Sequence, residues 1–317
     1  MEKVKQRSPY WDNIKGFLII LVVFAHFLYQ FQGNFSTVNA VVDVIYMFHM
    51  PAFIFVSGYF GKSENSRSAA SIIRLAILYL IFNSLAGILF GFGVVLNPLY
   101  SYWYLLSLIV WRLTAHHLAK IRGITLILFA AAVLVGFYTV INNDFAIARI
   151  IAFYPYYMLG FKLSSEKSEK ILQEEYSKRL LKGAGAAAGA AVIAVLAYIF
   201  MDYTDEALLM CPYVQFFDMV GRLALIAVSL LVIFASINIF TDKKIPLLSM
   251  FGQNSLWIFL FHRPFTLWIT GMIKEQNLGV VMITSVIGTF ALCLIFGNDR
   301  LANVLNKLQI KRKENNE

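Results

Sequence analysis

The chain has 317 residues, 59% hydrophobic and only 14% charged, with a mean hydropathy of +0.69. That is more apolar side chain than one soluble core can hide, so an ordinary cytosolic enzyme and a disordered tail are excluded. Two cysteines exclude a disulfide scaffold, and the net charge of +9 lies between apolar segments, where it points to membrane orientation rather than to a nucleic-acid partner.

A window of about 19 residues, the length that crosses ~30 Å of hydrocarbon, predicts an all-α polytopic membrane protein with about ten transmembrane helices. In chain order they fall at 16–31, 40–60, 71–96, 102–118, 123–141, 145–163, 183–201, 219–240, 246–269 and 278–296. The first run lacks a small-residue cleavage pattern and is expected to stay as a helix. With the N-terminus inside, every Lys and Arg between spans, from Lys3 through Lys62, Lys120 and Lys244 to Lys313, lies on the inner side, except Lys274. An even number of spans then puts both termini in the cytoplasm. The stretch 164–182 reads as a charged inner connector between helix groups, and 202–218 as the longest outer loop. Cys211 in that loop and Cys293 near the inner end of the tenth span are not expected to pair. A single membrane domain is expected over 1–317.

An ionisable side chain at the centre of a span costs roughly 2.5 kcal/mol or more, which makes each one a functional candidate. Arg74 and Arg112 sit toward the cytoplasm, joining Lys15 at the mouth of the first helix. Arg149, Arg222 and Arg263 sit toward the outside. Two tiers of cation suit one anionic ligand entering from each side; the plainer alternative is that they snorkel to headgroups or pair locally, as Asp218 can with Arg222. His26 lies eleven residues beyond Lys15, about 16 Å along the helix and near the midplane, and His49 on the descending second helix reaches a similar depth. Two such imidazoles can act as a general base and its partner. Pro51 removes the hydrogen bond to Met47, so the second span is expected to distort around His49 and free a carbonyl there. Tyr100, Tyr102, Trp103 and Tyr104 read as an interfacial aromatic belt, and Tyr154, Tyr156 and Tyr157 as residues lining a cavity. No metal, nucleotide-loop or nucleophile-elbow signature appears.

The opening YWDNIKGFLIILVVFAH, with Asp12, Lys15 and His26, resembles the first-helix signature of the acyltransferase-3 family of integral membrane acyltransferases, in particular its fucose 4-O-acetylase-like branch. FHMPAFIFVSGYF, with His49 and Pro51, resembles that family's second-helix motif, and YWYLLSLIVWRL, FYPYYMLGF and LWIFLFHRPF resemble its later blocks. The resemblance implies a ten-helix fold in the plasma membrane and transfer of an acyl group, usually acetyl, from cytoplasmic acetyl-CoA to a hydroxyl at or beyond the outer face. The acceptor would be a cell-surface glycan or its lipid-linked precursor, with acetyl-CoA as a substrate rather than a resident cofactor. It makes His26, His49 and Asp12 the catalytic candidates and Lys15, Arg74 and Arg112 the candidates for the donor phosphates. Arg149, Arg222, His262 and Arg263 are then the candidates for the acceptor. Many relatives carry an Arg-x-x-Arg pair entering the third helix; Ser71 and Arg74 stand there in this chain, so only the second arginine carries over. The rival readings are a proton-coupled transporter or flippase, which predicts internal symmetry and paired broken helices, and a non-catalytic scaffold.

Overall fold

The computed structural model describes residues 8–138, 144–200, 213, 217–273 and 277–304. They form α1 (Pro9–Leu28), α2 (Ser36–Tyr46), α3 (His49–Gly61), α4 (Glu64–Arg67), α5 (Ala69–Leu89), α6 (Trp103–Leu118), α7 (Ile124–Leu134), α8 (Ile147–Lys162), α9 (Ser165–Gln173), α10 (Tyr176–Phe200), α11 (Phe217–Ile239), α12 (Pro246–Gln253), α13 (Ser255–Met272) and α14 (Leu278–Phe296). No strand occurs among the described residues. All ten expected segments hold a helix, and among the described residues six helical stretches are long and apolar enough alone to cross a bilayer: Pro9–Phe31, Ser36–Gly61, Ala69–Leu89, Tyr176–Ile199, Phe217–Ile239 and Leu278–Phe296. The chain is a multi-pass membrane protein. Helices α6 and α8, with 16 residues each, reach only about 24 Å.

The side-chain distribution is that of a protein solvated by lipid. Helix α5 turns Ile73, Ile77, Leu80, Ile81 and Ile88 outward while burying Tyr79 and Asn83. Helix α14 likewise exposes Ile283, Val286, Ile287 and Phe290 and buries Ser285 and Thr289. On both helices these polar groups face protein together with part of the apolar set, such as Leu75, Leu78, Val281 and Leu292, while a row of large apolar side chains lies exposed, the reverse of a water-soluble amphipathic helix.

Several expected boundaries are corrected. The first helix begins at Pro9, not at 16, so Asp12 and Lys15 lie on the helix rather than at its mouth. The third span ends at Leu89 instead of 96. Beyond it Gly91 and Gly93 take positive φ, a conformation that glycine alone adopts freely, and the chain folds back onto Asn83. That amide donates to the carbonyls of Val95 and Asn97 at 2.8 and 3.1 Å and accepts from the Leu99 N–H. The charged connector is largely helical, as α9 and the start of α10. The span at 246–269 is broken at Asn254, between α12 and α13. The second span breaks at Met47 and Phe48, just before His49. Pro51 cannot donate to Met47, and the freed Met47 carbonyl accepts the buried Ser229 hydroxyl at 2.7 Å.

The aromatic run after residue 100 is also corrected. Tyr102, Trp103 and Tyr104 are buried, with Trp103 stacked on Phe153 and the Tyr104 hydroxyl 2.7 Å from Ser57 Oγ, so they pack inside the protein rather than forming a belt. Lys3, Lys274, Lys313, Cys211 and most of 202–218 lie outside the described residues.

The chain divides into two compact units. One comprises Met1–Val42 and Phe240–Glu317, the other Asp43–Ile239. In the first, α1 crosses α12 where Gly16 meets the Leu248 carbonyl and Gly252 meets the Asp12 carbonyl; a Cβ on either glycine would overlap that backbone. Asn13, fully buried, fastens the same crossing. Its Nδ2 donates to the carbonyls of Thr241 and Lys243, and its Oδ1 accepts from the Ile245 N–H and the Ser249 hydroxyl. The second unit repeats the device: Gly58 of α3 meets the Tyr157 carbonyl of α8, and Gly160 of α8 meets the Phe55 carbonyl. Glycine at a contact lets two backbones approach closely, which is how helices associate where apolar solvent supplies no hydrophobic drive.

Gly16→Ala should therefore lower the stability of the detergent-solubilised protein by about 1–3 kcal/mol, the usual cost of overpacking. Gly185→Ala, on α10 with open space around its Cα, should be neutral or stabilising by up to about 1 kcal/mol. Equal thermal midpoints for the two variants would remove the close crossing as the constraint.

Candidate active site

Helix α1 carries Asp12, Lys15 and His26. Asp12 is buried, Lys15 is half-buried, and the His26 ring, eleven residues further, also remains partly accessible. The break at Asn254 starts α13 afresh, held by the Asn254 amide on the carbonyls of Met250 and Gly297 and on Asp299 Oδ1 at 2.6 Å. That helix brings His262 and Arg263 against His26. Arg263 Nη1 stands 3.1 Å from His26 Nδ1, and the rings of His26 and His262 meet edge to face with centroids 5.0 Å apart. Arg263 also lies over the Tyr29 ring at 6.0 Å.

A guanidinium has donors only, so His26 Nδ1 accepts, and the ring's proton is on Nε2. An imidazolium, protonated at both nitrogens, cannot accept this bond. His262 has the opposite arrangement: its Nδ1–H donates to the Phe259 carbonyl at 2.6 Å, and the Nε2 lone pair is buried without a hydrogen-bond partner among the described residues. His26 and His262 were not grouped in the sequence because the 235 residues between them carry no periodic signal. The only available clue was depth, since His-Arg-Pro falls in the interior of the ninth span, as His26 does in the first.

The other unit holds the remaining candidates. His49 opens α3, buried, with Nδ1–H donating to the Ile45 carbonyl at 2.8 Å and its ring against Tyr46. Arg112 of α6 donates to Ser71 Oγ at 3.0 Å and to the Ser66 carbonyl. Ser71, the residue standing at the first position of the Arg-x-x-Arg pattern, thus draws a guanidinium from another helix to the start of α5. Arg74 lies three residues further along α5 and is exposed. Arg149 stands over the Trp103 ring at 5.4 Å. Arg222 is buried, donates to the Ala132 carbonyl at 2.9 Å and lies over the Tyr213 ring at 4.6 Å. Tyr154 bonds Thr114 through its hydroxyl at 2.6 Å, and Tyr156 and Tyr157 are wholly buried.

Sequence reasoning passed over Asn13 and Asn254. Both are amides in apolar surroundings, where an unpaired polar group is costly, so each signalled a bonding hub.

Residues 8–298 match the acyltransferase domain of the acyltransferase-3 type. The nodulation protein NolL of Sinorhizobium fredii is 40% identical over 67 residues, a stretch that is 20% of this chain and 18% of that protein. The chain therefore matches about a fifth of the length of this curated relative. No solved structure matches.

The His26 tautomer is directly measurable. In the protein carrying ¹⁵N-labelled histidine, His26→Gln identifies the His26 resonances, which are expected to show an unprotonated Nδ1 and a protonated Nε2. Arg263→Leu should abolish that preference. A protonated His26 Nδ1 in the unaltered protein would mean that Arg263 does not hold the ring.

Proposed function

The chain belongs to the acyltransferase-3 family, and from that premise we propose that it moves an acetyl group from cytoplasmic acetyl-CoA to a hydroxyl of a cell-surface glycan or its lipid-linked precursor. The observation that carries this reading is the partly accessible His26 with its Nδ1 lone pair held by Arg263 beside His262. An acceptor hydroxyl that displaces Arg263 from Nδ1 meets a base in the correct tautomer. Nδ1 takes the hydroxyl proton as the oxygen attacks the thioester carbonyl. The displaced guanidinium is then free to stabilise the developing oxyanion. Collapse of the tetrahedral intermediate breaks the C–S bond, and the departing thiolate takes the proton from His26. Ester and coenzyme A are the products, and the base is restored.

Lys15, Arg74 and Arg112 are the candidates for the donor phosphates, with Arg offering planar bidentate contacts and Lys a point charge. Asp12 and His49 remain candidates for supporting roles. Arg149 and Arg222, which pack on aromatic rings, take no part in the chemical step. Ten spans with both termini in the cytoplasm of a plasma-membrane protein is the topology that this reading uses, and the positive-inside bias supports it. The second broken span, at Asn254, is a feature that a transporter would also have. Release of free coenzyme A together with labelled product separates the two.

With the purified full chain in proteoliposomes, radiolabelled acetyl-CoA and an acceptor glycan, His26→Ala should lower transfer by about 10²- to 10⁴-fold, the usual contribution of a general base. Expression, thermal midpoint and acetyl-CoA affinity should hold. A variant that transfers at nearly the unaltered rate would discard His26 as the base, and glycan transport without coenzyme A release would favour the transporter.

A further inference from the structure

Beyond the Arg263–His26 pair, the first unit contains a cavity of about 330 Å³ whose lining includes Gln30, Phe31, Asn34, Leu267, Thr270 and Gly271. Its volume is in the roughly 300–1,000 Å³ range of small-ligand sites. Leu267 is four residues beyond Arg263 on α13 and so lies on the same helix face, while Gln30, four residues beyond His26, sits in the 3-10 turn Tyr29–Phe31 that follows α1; both are about 6 Å further along the chain direction than the pair. The cavity and the pair are therefore successive levels of one site. Thr270 continues the column, donating its hydroxyl to the Thr266 carbonyl at 2.7 Å, while Thr266 donates to the Arg263 carbonyl.

The lining selects a chemical class. Among the described residues that line it, none is charged, which suits neither a phosphate nor an ammonium group. The carboxamides of Gln30 and Asn34 have no hydrogen-bond partner among the described residues, and each offers both a donor and an acceptor. Thr270, whose proton is committed to Thr266, offers its oxygen lone pairs. Gln30 is half-buried and Asn34 exposed, so their amides are open to water, and an occupant that covers them must supply hydrogen bonds of its own to avoid a cost in free energy. Phe31 and Leu267 supply an apolar surface alongside them, and Gly271 leaves room for close approach. We propose that this cavity binds a neutral sugar ring of the acceptor, positioning one of its hydroxyls a helical turn away at His26.

The proposal rests on the acyl-transfer reading for its purpose but not for its test. Leu267→Cys in the reconstituted full chain is labelled with a maleimide, with the unaltered chain setting the background from Cys211 and Cys293. Methyl glucoside, methyl galactoside, methyl fucoside, cyclohexanol and acetyl-CoA are the competitors. Slower labelling with at least one glycoside, and no slowing with cyclohexanol or acetyl-CoA, is the expected result. Equal protection by cyclohexanol, or none by any glycoside, would overturn the sugar site. In turnover, Gln30→Leu and Asn34→Leu should each raise the acceptor KM about tenfold, as the loss of one ligand hydrogen bond does, with the acetyl-CoA KM unchanged. An acceptor KM unaltered in both variants would also overturn it. Acetyl transfer without glycoside protection discards the cavity and keeps the enzyme; protection in a chain that never transfers acetyl does the reverse.

Discussion

Close backbone contact at glycine governs both units. At Gly16 and Gly252, as at Gly58 and Gly160, each helix presents a missing side chain to the partner's carbonyl, and the two contacts of each pair are reciprocal. Reciprocity fixes position along the helices as well as distance, because a slide by one turn would bring a side chain into the space that a glycine leaves. His26 is on α1, the helix that Gly16 seats, so the level of its ring within the unit follows from a contact about 15 Å away along the same helix.

Polar fastening completes what glycine begins. Asn13 uses both ends of its amide at the α1–α12 crossing, Asn254 bonds two carbonyls and a carboxylate at the start of α13, and Asn83 ties down the returning loop after α5. Each is a short side chain with a donor and an acceptor, able to satisfy backbone groups that a break or loop has exposed. The same logic explains Ser229, whose hydroxyl meets the Met47 carbonyl that Pro51 leaves unbonded. Membrane interiors tolerate broken helices only where such partners exist, and each break described above has one.

Composition and run length made the helical membrane architecture legible, because a bilayer imposes a minimum length of apolar helix on whatever spans it. The break near His49 was legible through Pro51, since the missing N–H is a local property. The break at Asn254 was not, as no proline stands there and Gly252, two residues earlier, is still within α12, while the bonds that hold the break reach Gly297, 43 positions away. The end of α5 was misjudged because Val94, Val95 and Leu96 are apolar enough to extend a hydropathy window. Gly91 and Gly93 turn the chain before them. Tyr102, Trp103 and Tyr104 were read from their type and place in the chain, but burial depends on neighbours such as Phe153 and Ser57 that only folding supplies.

The same distinction between local and folded information applies to the histidines. His26, His49 and His262 are chemically identical in the sequence, and each is in an apolar stretch. Folding gives them different protons. His49 and His262 sit one turn beyond a carbonyl of the same chain, which can only accept, so their Nδ1 carries the hydrogen. His26 faces a guanidinium, which can only donate, so its Nδ1 carries the lone pair. The two donor rings are sealed, with exposures of 1% and 0%, whereas His26 remains partly accessible. Of the three, His26 alone combines an Nδ1 lone pair that meets a donor side chain with a ring left partly accessible, and those are the two properties that the proposed base requires.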